Sequence, residues 1–152
     1  MSKDSALLEP HLEKRMAAGN KGRVLVVDDE MDVRKSVRSI LSKAGYDVDE
    51  AEDPEAGVAM VKWGANPLPL NAIISGLDMP TINETIVIPY FRSKFPSCPV
   101  IALSRSHGQE RLARLFKKLG VEFLPKPIDR ERLLGAMNRV VTEGVSRDNV
   151  VA

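Results

Sequence analysis

The feature that most restricts this chain is an alternation. Between residues 23 and 142, short apolar runs of strand length are each followed by a stretch with helical spacing. "RVLVV" (23–27) is a continuous apolar run ending at acids, as in a strand covered on both faces. From Asp32 to Ala44 the apolar residues Val33, Val37, Ile40, Leu41 and Ala44 recur at helical spacing, and Gly45 stands where a helix ends. "YDVDEA" predicts a second strand. Asp53-Pro54 then offers an N-cap followed by proline in the first helical position, for a helix reaching about Trp63. After the Pro-rich "GANPLPL", "NAIIS" predicts a third strand. "NETIVIPYFRSKF" predicts a helix that Pro89 should kink or delay. "PVIALS" is a fourth strand, and "GQERLARLFKKLG" a helix with Leu112, Leu115, Phe116 and Leu119 as its stripe. "VEFLP" is a fifth strand, and "DRERLLGAMNRVV" a last helix with Asp129 as N-cap.

Strand–helix repeats of this kind imply an α/β fold: a doubly wound parallel sheet with helices on both faces. Ligands then bind beyond the C-terminal ends of the strands. Four such ends carry chemistry here. They are Asp28-Asp29-Glu30, Ser75-Gly76 with Asp78 after it, Ser104-Arg105, and Pro125-Lys126-Pro127. Together they predict a pocket of two or three carboxylates, a hydroxyl and an ammonium. Hard oxygen ligands suit Mg²⁺. A lysine and a serine hydroxyl can hold phosphoryl oxygens. A carboxylate nucleophile would complete the set by forming an acyl phosphate.

Taken singly, each residue has a plainer reading. The acid pair can be a solvated strand end, Lys126 a surface charge, Phe123 core and Ser104 a loop cap. His107 reads as a loop residue in water, Lys117-Lys118 as the wet face of a helix, and Cys98 as a small apolar filler.

Composition narrows the function classes. A net charge of +1 gives no concentrated basic face for nucleic acid or anionic lipid. One cysteine cannot form a disulfide within the chain, which fits a reducing compartment. No apolar run approaches the ~20 residues of a membrane helix, and the N-terminus has no secretory core. The expected location is the cytoplasm. No Gly-rich phosphate loop follows the first strand, which argues against a nucleotide-binding domain.

"VLVVDDE", "IISGLDMP", "PVIALS" and "FLPKP", in this order and spacing, resemble the receiver domain of bacterial two-component response regulators. The resemblance covers residues 23–142. It implies a flavodoxin-like five-stranded sheet of order 2-1-3-4-5, after an N-terminal extension (1–22) and before a C-terminal tail (143–152). Position by position, Asp28 and Asp29 match the acid pair that helps bind Mg²⁺, with Asp78 as a further metal candidate. Ser104 matches the hydroxyl that moves onto the phosphoryl group, and Lys126 the lysine that contacts it. Phe123 matches the aromatic switch. Counting back from Met79-Pro80, the phospho-accepting aspartate falls at Gly76, which has no side chain to attack phosphorus or bind metal. Any Mg²⁺ site is therefore weakened. Arg105 stands where the family usually has a small residue, as a gate at the pocket mouth or a partner for Asp28 and Asp29. Glu84 stands where a turn glycine is common after Met-Pro in the family, which would reshape the loop into the third helix.

The expected function is a stand-alone receiver in phosphorelay signalling, unable to take phosphate at the usual position and acting through protein contacts. It is not expected to be an enzyme. Partners of the family's kind are a histidine kinase, a phosphotransfer protein or a downstream effector. A homodimer through the fourth helix, fifth strand and fifth helix is a further expectation; nucleic acid and membrane are not expected. One alternative is a phosphorylatable receiver in which Gly76 replaces a native aspartate. Another, of a different class, is a Mg²⁺-dependent phosphohydrolase, disfavoured because no nucleophile or second metal cluster is present.

Overall fold

A computed structural model describes residues 21–80, 82–105, 114 and 116–151, with 142–151 as helix backbone. The N-terminal segment, His107, Leu112 and Leu115 lie outside the described residues. Five strands are present: β1 (Gly22–Val27), β2 (Tyr46–Ala51), β3 (Leu70–Gly76), β4 (Val100–Ser104) and β5 (Glu122–Pro125). Four helices have described bounds: α1 (Met31–Lys43), α2 (Pro54–Trp63), α3 (Glu84–Lys94) and α4 (Arg130–Val151). Residues 116–118 add a helical stretch before β5.

The strands form one parallel sheet in the order β2-β1-β3-β4-β5. Strand side chains alternate between faces, and the core divides accordingly. Val24, Val26, Ile74, Ile101 and Leu103 pack with α1 and α4 on one face. Leu25, Val27, Ile73, Val100 and Ala102 pack with α2, α3 and Phe116 on the other. Every side chain of β4 is therefore buried, as a strand covered on both faces requires.

The predicted helix signals act as expected. Asp53 caps α2 by accepting from Ala56 N at 2.7 Å, with Pro54 in the first turn. Asp129 accepts from Arg132 N at 2.9 Å. Gly45 ends α1 with φ 99°, a left-handed conformation that costs glycine least. Pro89 differs from expectation: α3 starts at Glu84 behind the Asn83 cap, so the proline does not delay it. Leu119 also differs. It is exposed in the turn before Gly120, past the end of the helical stretch, whereas Phe116 is buried. The last helix runs on to Val151, across residues read as a tail.

One buried charge holds the edge opposite β5. Arg23 is 2% exposed. Its Nε donates to Asp49 Oδ2 at 2.5 Å, and Nη1 donates to the carbonyls of Asn66 and Leu68 at 3.3 and 3.2 Å. The guanidinium thus ties β1 to β2 and to the loop before β3. Asp49→Ala leaves that cation with carbonyls alone. It should lower unfolding free energy by about 1–3 kcal/mol in a urea titration, the range for stranding a buried donor. Among the described residues no helix is long and apolar enough to cross a membrane.

Candidate functional site

The sheet itself brings the strand ends together. Val27 pairs with Ser75, Gly76 with Leu103, and Ser104 with Pro125. The ladder then continues one step further. Asp28 N donates to Ala51 O at 3.1 Å, Leu77 N to Leu103 O at 2.9 Å, and Lys126 N to Ser104 O at 2.9 Å. These bonds fix where each side chain departs. Asp28, Gly76 and Lys126 all follow the parity of the α1/α4 face, so they meet at its rim.

Asp28 is fully buried. Its Oδ1 accepts from Glu30 N at 2.9 Å, a local turn bond. Its Oδ2 lies 2.8 Å from Lys126 Nζ but makes no hydrogen bond among the described residues, so the contact is ionic and off the hydrogen-bond axis. Lys126 is buried as well. Its ammonium stands 3.7 Å from Glu30 Oε2 and 3.7 Å from Asp78 Oδ2. One lysine thus faces three carboxylates. Arg34, a buried residue of α1, donates Nη1 to Asp28 O at 2.7 Å and fixes the backbone of the acid pair.

Gly76 is closed off by this pair. A Cβ built on it would lie 2.1 Å from Asp28 Oδ2, 2.8 Å from Asp28 Cγ and 3.4 Å from Lys126 Nζ. The space a side chain at 76 would enter is filled by the Asp28 carboxylate. The neighbouring Ser75 is fully buried and donates its hydroxyl to Gly76 O at 3.1 Å.

Asp78 turns to β4. Its Oδ1 accepts from Ser104 Oγ at 3.0 Å, and its Oδ2 accepts from Arg105 N at 2.7 Å. Of the two expectations for Arg105, a gate at the pocket mouth or a partner for Asp28 and Asp29, its guanidinium makes no contact with that pair among the described residues and instead reaches Glu30 Oε2 at 2.5 Å. Glu30 is the site residue that sequence reasoning passed over. It was legible only as the third acid of "DDE", and its place between Arg105 and Lys126 depends on the turn after β1. Asp29 is exposed. Partial burial, and then the Asp28 charge beside it, raise its carboxyl above the ordinary aspartate value.

These contacts decide how the residues suit a cation. Receiver domains commonly bind Mg²⁺ at the acidic pocket. Here both oxygens of Asp28 and both of Asp78 already face protein donors or the Lys126 ammonium. Among the described residues no three acids, cysteines or histidines converge as a metal-ligand set. In this arrangement the oxygens of Asp28 and Asp78 are taken up by protein donors and by the Lys126 ammonium, which supplies positive charge where an octahedral oxygen site would hold a cation, while Asp29 is exposed.

The remaining candidates are more distant. Phe123 is half-buried and stacks on Phe116, with ring centroids 6.0 Å apart and planes at 19°. It packs with the α2/α3 core. Glu84 opens α3, where an acid suits the helix N-terminus. Cys98 is half-buried, and burial pushes its thiol up to about 12. That fits an unreactive filler.

Comparison with known proteins agrees with the sheet order. Residues 24–138 match the family model of the response regulator receiver domain. The response regulator MprA of Mycobacterium sp. strain KMS is 36% identical over 120 residues, covering 78% of this chain and 50% of MprA. The DNA-binding transcriptional regulator NtrC of Bradyrhizobium sp. strain RP501 Parasponia is 29% identical over 126 residues, covering 83% of this chain and 25% of NtrC. The chain thus spans about half the length, or less, of these relatives. Among solved structures, Vibrio cholerae chemotaxis protein CheY4 has a TM-score of 0.65 at 28% identity, covering 78% of this chain and 98% of CheY4. The receiver family is a signalling family, not an enzyme family. With its 2-1-3-4-5 parallel sheet and its match across 24–138, this chain belongs to the response regulator receiver domain family.

Proposed function

We propose that this receiver works without a phosphoryl group at position 76 and signals through protein contacts. The observation that carries the reading is the closed space at Gly76. The residue has no nucleophile, and the Asp28 carboxylate with its Lys126 partner fills the direction in which one would project. Attack on phosphorus needs a group within reach of the phosphoryl donor. The nearest carboxylates here are held by a lysine, a serine hydroxyl and backbone amides. A phosphate would ordinarily bring about −1.5 to −2 charges; this pocket instead holds the fixed charges of Asp28, Glu30 and Asp78. The balance between receiver conformations is then set by sequence and by the bound partner. The partner is a protein of the two-component kind, a kinase, phosphotransfer protein or effector, met in the cytoplasm.

The test is intact-mass analysis of the chain after incubation with acetyl phosphate and Mg²⁺. An unchanged mass is expected. A stoichiometric gain of one phosphoryl group by the native chain contradicts the reading, and peptide mapping would then show whether Asp78 or Asp28 had become the acceptor.

A further inference from the structure

We propose that α2 and the cleft beside it form a two-fold contact between copies of this chain, in which Trp63 of each copy enters the cleft between α2 and α3 of the other. The contact holds whether or not position 76 accepts phosphate. It uses other elements than the fourth helix, fifth strand and fifth helix that the resemblance suggests for a homodimer.

α2 is apolar on both sides. Pro54, Gly57, Val58 and Val61 turn to the sheet and are buried or half-buried. Ala56, Ala59, Met60 and Trp63 recur at helical spacing on the opposite side, and all four are exposed. A surface helix ordinarily carries polar residues there. Trp63 is the extreme: it is 84% exposed and is the one tryptophan of the chain. Left bare, an aromatic of this size forgoes the burial of about 150–250 Å².

The cleft lies at the other end of the same helix. It holds about 870 Å³ and is lined by Pro54 and Glu55 from α2, and by Ile82, Ile86, Pro89 and Tyr90 from α3 and the loop before it. Ile86 is 56% exposed, a second bare apolar side chain beside it. From Pro54 to Trp63 a helix rises about 14 Å. Knob and hole are thus set apart along one axis. An antiparallel pair of α2 helices about a two-fold axis brings each knob to the other copy's hole at once, and the contact closes as a dimer. In that register Trp63 opposes Ala56 of the second copy, and Met60 opposes Ala59, so large side chains meet small ones.

Charge follows the same symmetry and selects a second copy as the occupant. Asp53 and Glu55 place two exposed acids at the cleft. Burial, and then the charges of Glu55 and Asp53, raise the Tyr90 phenol above its ordinary value. Lys62, the residue before Trp63, is exposed, with Nζ 5.6 Å from the centroid of the Phe95 ring. Each copy therefore carries a cation beside its knob and acids beside its hole. Two tryptophans alone bury about 300–500 Å². With the two helix faces added, the contact falls at the small end of specific interfaces, so the dimer is reversible on dilution.

The test follows the full chain through a dilution series by sedimentation velocity and by tryptophan emission, which reports the burial of Trp63 alone. A dimer is expected at the concentrated end, with emission shifting to the blue at the same midpoint as dimer formation. Trp63→Ala should weaken the dimer at least about thirtyfold, as loss of a buried aromatic anchor does. Ile86→Glu keeps the tryptophan and should hold its emission red at every concentration. Lys62→Glu and Glu55→Lys, each on an exposed side chain, should each weaken association. An equimolar mixture of these two variants should associate again, because every facing pair then has opposite signs. A chain that stays monomeric at all concentrations overturns the proposal, as does a dimer whose tryptophan stays red. Blue emission from a monomer also overturns it and marks the chain's own N-terminal segment in the cleft. A mixture no tighter than either charge variant removes the two-fold register.

Discussion

Gly76→Asp is expected to weaken the fold and, in the same molecule, to create a phosphoryl acceptor. The new Cβ meets Asp28 Oδ2 at 2.1 Å and Cγ at 2.8 Å, separations that side chains do not tolerate. Relief comes from the end of a side chain, not from backbone. Asp28 must rotate, giving up its bond from Glu30 N at 2.9 Å and its 2.8 Å contact with Lys126. The incoming carboxylate starts beside the same ammonium, since the Cβ is 3.4 Å from Lys126 Nζ. One ion pair replaces another, and what remains is overpacking plus an added buried charge. That places the loss at about 1–3 kcal/mol by urea unfolding. Acetyl phosphate should then add one base-labile phosphoryl group. Gly76→Ala separates the two effects. It displaces Asp28 without supplying a replacement anion, so it should be destabilised at least as much and should take no label.

The second large effect concerns the buried pair itself. Lys126→Met removes the ammonium that faces Asp28, Glu30 and Asp78 together, and leaves the fully buried Asp28 carboxyl without its partner. Breaking a buried pair by deleting one partner typically costs about 3–5 kcal/mol, because the survivor is left uncompensated. Asp28→Ala should cost less, about 2–4 kcal/mol. Lys126 then keeps Glu30 and Asp78 at 3.7 Å, either of which can close on it. The order of the two losses, measured by urea unfolding, checks the placement of the lysine among three acids. Equal losses would mean that Glu30 and Asp78 do not share its charge.

Much of this architecture was legible in the residues. Strand ends could be read because the apolar runs stop abruptly at Asp28, Gly76, Ser104 and Lys126, and a parallel sheet must bring such ends to one edge. Helix starts could be read at Asp53 and Asp129 because capping is local chemistry. By resemblance, the distance to Met79-Pro80 sets Gly76 at the family's acceptor position, the reading on which the proposed function rests. What could not be read was how the missing side chain is compensated. That depends on the rotation of the Asp28 carboxylate into the space beside Gly76, a choice made by a lysine 98 positions later in the chain. The turn of Asp78 toward Ser104, and of Arg105 toward Glu30, has the same origin. A sequence gives the charges at a strand end but not which pairs form, because pairing depends on side-chain rotations set by neighbours from other strands. Pro89 and Leu119 show the complementary limit. The Asn83 cap and the packing of Val87, Ile88 and Phe91 carry α3 through its proline, and a stripe projected one turn too far put Leu119 inside.

The claim beneath the whole account is that Asp28 and Lys126 are bound to each other in the space Gly76 leaves open. A double-mutant cycle of Asp28→Ala and Lys126→Met, read as unfolding free energies in urea, measures that contact directly. The predicted result is a double variant clearly more stable than the sum of the single losses implies, with a coupling of about 2 kcal/mol or more, toward the upper part of the range for residues in contact. Losses that add to within about 0.5 kcal/mol would mean the two charges do not interact, and the closed pocket would be contradicted.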